Sequence, residues 1–237
     1  MTIRPGLAHY RGALGANGLH HHHAVQVLIS RGEPLIVGDA QGNEVECLAA
    51  VTPADIPHTI VRGVVDGEML HAARESVYGS ALEALVPEPH SAASWGQAGA
   101  RLLELGVAGE WWRAGDRLNS PVAMPFRHPA LVASMQLLPD LLAAGPVRLR
   151  EVAAAAGISE SRLGHLFAEQ LGLPFRAYVR WLRLSRAVEF IARGSSLTEA
   201  AHLSGFSDSA HLNRVCHRSF GLAPTALTER IKFTVVE

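Results

Sequence analysis

The feature that most constrains this 237-residue chain is a repeat. The stretch Leu149-Arg-Glu-Val-Ala-Ala-Ala-Ala-Gly157-Ile-Ser-Glu-Ser161 returns forty-eight positions later as Leu197-Thr-Glu-Ala-Ala-His-Leu-Ser-Gly205-Phe-Ser-Asp-Ser209. In each copy apolar residues run up to a glycine, and a serine and an acidic residue follow it. Glycine supplies the positive φ of a tight turn between helices. Serine then an acid is a helix-start signal, because the hydroxyl caps orphan N–H groups and the carboxylate suits the positive end of the helix. The repeat predicts two helix-turn-helix units in tandem. In such units the second helix of each pair enters a DNA major groove.

Flanking patterns extend the helical reading. Leu131, Met135, Leu138 and Leu142 recur at helical spacing over Ala130–Ala144, and Gly145-Pro146 stops the run. Ser159 is the expected cap of the first recognition helix and Ser207 of the second, and Ser196-x-x-Glu199 reads as a capping box. Between the units, Phe175–Ala192 reads as one helix with Phe175, Tyr178, Val179, Leu182, Val188 and Ile191 on a single face. A helix of that length spans about 27 Å, close to the ~34 Å that separates major grooves on one side of B-DNA. Leu163 and Leu212 are 49 apart rather than 48, so the second unit gains one residue near the start of its recognition helix.

Charge follows the same division. Residues 1–127 carry nine Arg against thirteen Asp and Glu, a net −4; residues 128–237 carry eleven Arg and one Lys against nine acids, a net +3. The positive bias sits in the half that holds the repeat, and it is almost wholly arginine, whose planar fork suits phosphates and guanine edges.

Burial of Leu163, Leu166 and Phe167 leaves Ser161, Arg162, Gly164 and His165 on the outer side of the first recognition helix. The second presents Ser209, Ala210, His211, Asn213 and Arg214. Arg214 is the candidate for bidentate contact with guanine, Asn213 for adenine. His211 has two open roles, base contact or internal packing and capping. Arg180, Arg183 and Arg186 are expected to pair in part with Glu189 or Glu151.

These residues resemble the AraC/XylS family of bacterial transcription regulators. The resemblance covers about Leu131 to Arg230. It is carried by Leu149-x-Glu-Val-Ala-x3-Gly-Ile-Ser-x-Ser-Arg-Leu163, His165-Leu-Phe, Tyr178-Val-Arg-Trp-Leu-Arg-Leu-x-Arg-Ala187, Gly205-Phe-Ser-Asp-x-x-His-Leu212, Arg214 and Phe220-Gly-Leu-Ala-Pro224. It implies a seven-helix domain with two recognition helices in adjacent grooves, and base-reaching positions at Ser161, Gly164 and His165. Departures are Pro174-Phe175 for the usual Ser-Pro, Cys216 for the usual Phe, and Ala200 for a larger aliphatic residue.

The N-terminal half reads differently. Ala24–Ser30 and Glu44–Val51 are strand-like, and Gly/Pro turn clusters divide residues 1–85 into short strands. Gly15-x5-His21-x-His23-x2-Gln26-x5-Gly32 and Pro53-Ala-Asp-Ile-Pro57-His58 resemble the two cupin motifs over about Leu14–Ala73. That resemblance implies a small β-barrel. His21, His23, Gln26 and His58 would form an effector pocket or hold a divalent metal, although Gln26 is a poor ligand where the motif has a carboxylate. Val86-Pro-Glu-Pro opens a linker; Ala92–Val107 is an expected helix with Trp95, Ala98, Leu102 and Leu105 on one side, either core or a dimerisation surface. Trp111-Trp112 would close the domain, and the Asn119–Pro129 stretch would connect to the next.

The expected architecture is α+β: a cupin-like barrel over 1–85, a linker with a possible dimerisation helix over 86–129, and an all-α tandem helix-turn-helix domain over 130–237. Expected partners are double-stranded promoter DNA, a small-molecule effector, RNA polymerase and a second copy of the chain. Two distant cysteines and the absence of a long apolar run point to a reduced, cytoplasmic protein with no membrane span. The competing reading is a cupin-type metal-dependent enzyme; the missing carboxylate and the lack of a nucleophile–base pair count against it. A third is a DNA-binding protein whose barrel only dimerises.

Overall fold

The computed structural model describes residues 2–4, 7–106, 127–220, 224 and 234–235. Trp111, Trp112, residues 119–126 of the expected connection and residues 221–223 of the Phe220–Pro224 stretch lie outside these. The chain divides into two compact units: residues 1–124 with 216–237, and Pro125–Val215. No helix among the described residues is long and apolar enough to cross a membrane.

In the first unit, β1 (Thr2–Arg4), β2 (Leu7–Leu14), β3 (Ala24–Ser30), β6 (Ala49–Thr52), β8 (Val64–Ala73) and β9 (Thr234–Val235) form a six-stranded sheet of order β6-β3-β8-β2-β1-β9. A second sheet has the order β5-β4-β7, from β4 (Leu35–Asp39), β5 (Glu44–Cys47) and β7 (His58–Arg62). The expected barrel is therefore not closed among the described residues. The reason lies in the run Glu44–Val51, expected as one strand. It breaks at exposed Leu48, so β5 pairs with β4 while β6 pairs with β3. The Leu48 carbonyl instead accepts from the N–H of Ser30 at 2.7 Å.

Strand β3 is buried at every position, as a central strand covered on both faces must be. Two helices complete this unit: α1 (Val77–Glu83), capped by Ser76, and α2 (Ala92–Glu104), capped by Ser91. The apolar side of α2 packs on β5 and β6, with Trp95 and Leu102 fully buried and the Trp95 indole donating to the Pro89 carbonyl at 2.8 Å. Gly99 makes this contact possible: a Cβ there would stand 2.1 Å from the Ala49 carbonyl oxygen. Helix α2 is thus core of the N-terminal unit rather than linker, and of its expected apolar side Trp95, Ala98 and Leu102 are buried while Leu105, at the C-cap, is exposed.

The second unit contains α3 (Pro129–Ala144), α4 (Leu149–Ala155), α5 (Glu160–Leu171), α6 (Phe175–Ala192), α7 (Leu197–Leu203) and the start of α8 (Ser209–Phe220). The helical region expected over 130–237 is divided within α8, at Cys216. One core joins Leu131 and Leu138 of α3, Val152 of α4, Leu163, Leu166 and Phe167 of α5, and Phe175 and Tyr178 of α6. Helix α6 does not bury a single stripe. Leu182 and Val188 are only half-buried, while Leu184 and Ala187 are fully covered. Phe175, Tyr178 and Val179 join the core shared with α3 and α5, and α6 also packs on α7, so more than one of its faces is covered.

Candidate nucleic-acid interface and histidine cluster

Both helix-turn-helix units form as the repeat requires. Gly157 and Gly205 turn between the helices with φ of 71° and 78°. Ser159 caps α5 through the N–H of Arg162, and the Ser196–Glu199 capping box starts α7. The second recognition helix departs from the expectation. Its cap is Asp208, whose carboxylate accepts from the His211 N–H at 2.6 Å, and Ser207 is outside the helix. The 49-residue offset explains this: Glu160 and Ser209 open α5 and α8 at that spacing, and the extra residue moves the cap from the serine to the acid.

On α5, Ser161, Arg162 and His165 are exposed and Gly164 is half-exposed. The His165 Nδ1–H donates to the Ser161 carbonyl at 2.8 Å, which fixes the ring and turns Nε2 outward as an acceptor. Gly164 lies in an open groove of about 770 Å³ that Arg148, Arg150 and Arg176 also line. The repeat gave no hint of this groove, because its arginines come from the starts of α4 and α6 and not from the recognition helix itself.

On α8, Asn213 and Arg214 are exposed, Ser209 and His211 are half-buried, and Leu212 is fully buried beneath them. His211 has internal partners: its Nδ1 lies 3.2 Å from the Ser207 hydroxyl, and its ring meets Phe206 edge-on at 5.2 Å. Of its two expected roles, the packing one is occupied. The ion pairs expected along α6 take other forms. Glu151 lies within 4.0 Å of Arg148 and Arg150, while Arg186 donates to the Pro139 carbonyl and stacks on Phe190. Arg183 lies against the Gly205 turn, where a Cβ would come within 3.1 Å of its Nε. A long side chain over a glycine 22 residues further along the sequence carries no periodic signal.

The N-terminal histidines converge, but with a different phase from the one the motif suggests. His20, His22 and His58 are buried, with ligand atoms all within 4.8 Å of one another. His21 is exposed. His23 is buried but its Nδ1 is 2.7 Å from the Asp55 carboxylate, and Glu75 is 3.9 Å from its Nε2. The four histidines precede β3 rather than lying on it. Reciprocal backbone hydrogen bonds between His20 and His58, at 3.0 and 2.9 Å, set which of them face inward. Gln26 lies apart from a ligand role: its amide is 3.0 Å from His71 Nε2.

Each converging ring is oriented by a carbonyl. His20 Nδ1 lies 2.9 Å from the Gly18 oxygen, His22 Nδ1 3.0 Å from that of Ala24, and His58 Nδ1 2.8 Å from that of Ile56. Burial lowers the pKa of His20, and lowers that of His22 well below the ordinary range, aided by the neighbouring histidines. Burial and the charge of His20 bring His58 and His71 each to about 3. The cluster is neutral at physiological pH.

The model of a helix-turn-helix domain matches residues 152–230. The match covers about a third of the chain. Similar proteins share this region. The HTH-type transcriptional regulator YpdC of Escherichia coli is 34% identical over 90 residues, 38% of this chain and 32% of that protein. The HTH-type transcriptional activator RhaR of Pectobacterium atrosepticum is 33% identical over 88 residues, 37% of this chain and 31% of that one. The chain thus spans about a third of the length of these curated relatives. Among solved structures, ToxT of Vibrio cholerae superposes with a TM-score of 0.57 at 10% identity, covering 95% of this chain and 98% of ToxT. The likeness to ToxT is one of fold, and it extends beyond the helix-turn-helix region to the N-terminal sheets.

Proposed function

We propose that the protein is a sequence-specific DNA-binding transcription regulator whose N-terminal sheet unit binds a small effector. The observation that carries this reading is the pair of helix-turn-helix units in one AraC-type domain, each with a glycine turn, a capped second helix and a polar outer face. Ser161, Arg162, Gly164 and His165 would face one major groove, and Ser209, His211, Asn213 and Arg214 the next. Arg214 and Asn213 carry base recognition; His165 and the arginines of the adjoining groove position the duplex through phosphates.

Sensing in the N-terminal unit is supported by the shared fold with ToxT, for which a structure bound to an unsaturated fatty acid is known. Promoter DNA, a second copy of the chain and RNA polymerase are the partners this reading requires, in a reducing cytoplasm where Cys47 and Cys216 stay free thiols. Genome-wide mapping of bound sites followed by gel-shift assays on the recovered sequences tests it. A common motif with two half-sites about one helical turn apart is expected. Equal affinity for recovered and random DNA would reject the reading.

A further inference from the structure

We propose that His20, His22 and His58 bind one divalent transition-metal ion through their Nε2 atoms inside the N-terminal unit. Three observations lead there. The ligand atoms of the three rings already lie within 4.8 Å of one another. All three side chains are at least 95% buried. Each Nδ1 faces a backbone carbonyl, of Gly18, Ala24 or Ile56. A carbonyl only accepts, so each Nδ1 carries the hydrogen and each Nε2 a lone pair. The carbonyls thereby do what outer partners do for metal-bound histidines elsewhere: they set the tautomer and hold the ring.

A purely structural cluster does not need this arrangement. Rings packed for their apolar faces have no reason to gather three ligand nitrogens within 4.8 Å of one another, where lone pairs repel. The His58 Nε2 is buried with no hydrogen-bond partner among the described residues, and a cation would supply one. The site is held by two separate segments, because the His20–His58 backbone bridge ties the loop before β3 to the start of β7. An imidazole-only set without thiolate or carboxylate favours zinc, nickel, copper or iron over magnesium or calcium. In tetrahedral zinc the nitrogens stand about 3.3 Å apart, so small side-chain movements would close the cluster. Three protein ligands leave a fourth position for water or an anion.

Metal binding does not depend on the regulator reading; only the ion's role as effector does. The test uses the full-length protein without an affinity tag. Cobalt(II) is titrated in and followed by visible absorption, zinc is added as competitor, and bound metal is counted. One equivalent with a tetrahedral spectrum, displaced by zinc, is expected. His58→Gln should weaken binding by about tenfold or more, whereas His21→Ala, at an exposed position of the same histidine run, should leave it unchanged. No saturable cobalt spectrum, equal binding by His58→Gln, or loss in His21→Ala would overturn the proposal; the last would assign the metal to surface chelation. Should His58→Gln not fold, the melting temperature of the wild type decides: zinc raises it if the site exists and leaves it unmoved if not. DNA affinity measured in parallel keeps the readings separate. A bound metal without any change in operator affinity removes the effector role and leaves the site standing.

Discussion

The backbone N–H of His211 donates to the Asp208 carboxylate at 2.6 Å, and this bond starts the second recognition helix. The same bond, followed by one from the Ser207 hydroxyl, holds the Asp208 pKa below the usual aspartate range. The folded state therefore prefers the ionised acid. Its stabilising contribution is complete above the unfolded-state pKa and disappears as pH falls through the lower folded value. Asp208→Ala should lower both the melting temperature and the DNA affinity at neutral pH, with Asp208→Asn close to wild type because asparagine also caps. The stability deficit of the alanine variant should shrink as the solution is acidified below the aspartate range. A deficit independent of pH, measured by circular dichroism, would show that the carboxylate is not the cap.

Arg214 is exposed on α8 beside Asn213, above the fully buried Leu212. A base-reading arginine contributes discrimination; a phosphate-binding one contributes affinity for any sequence. Arg214→Ala should reduce the ratio of cognate to random DNA affinity by about 1–3 kcal/mol, with little change for random DNA. Equal losses on both duplexes in fluorescence anisotropy would make it a phosphate contact.

Two glycines separate packing from recognition. A Cβ at Gly99 would lie 2.1 Å from the Ala49 carbonyl oxygen, which is backbone and cannot swing away. Gly99→Ala should destabilise the N-terminal unit by about 1–3 kcal/mol despite alanine's better helix propensity. A Cβ at Gly164 meets Leu149 Cδ2 at 3.6 Å, an ordinary contact. Gly164→Ala should stabilise α5 by up to about 1 kcal/mol, while a methyl on the outer face alters DNA affinity. Urea denaturation measures both, and a stabilised Gly99→Ala variant would mean that α2 does not seat on β6.

The C-terminal helices were legible because their signals are local. Gly157, Gly205, the Ser196–Glu199 box and the 3.6-residue spacing of Leu163, Leu166 and Phe167 all act within a turn or two. The shift of the α8 cap to Asp208 was also latent in the 49-residue offset between Leu163 and Leu212. What failed were non-local features. The break at Leu48 depends on two sheets competing for one run of strand residues. Helix α1 is separated by three residues from the ten-residue strand β8, whose composition hides the Ser76 cap. The histidine phase failed for the same reason: alternation shows that every other residue shares a face, but the pairing of His20 with His58 decides which ones face inward. The arginine-lined groove at Gly164 is assembled from α4, α5 and α6 and exists only in three dimensions.

The neutral histidines of the N-terminal unit make its metal-free stability depend on pH in a definite direction. His58 and His71 have folded pKa values of about 3, while in the unfolded chain they return to the ordinary value of 6.5. Below that ordinary value the unfolded chain binds protons that the folded one refuses. Stability is therefore constant above about pH 7 and falls as the pH drops from the ordinary histidine range toward the folded values. Each histidine that stays neutral contributes a slope of about 1.4 kcal/mol per pH unit within that window. In the presence of a chelator, the urea midpoint of this unit should be flat between pH 7.5 and 8.5 and decline steadily at pH 5.5 and below. His71→Asn should flatten the decline, since one fewer proton separates the two states. Trp95, buried with its ring 6.5 Å from that of His58, is placed to report the transition by fluorescence. A midpoint unchanged down to pH 5, or an equally steep decline in His71→Asn, would mean that these rings take up protons within the folded protein.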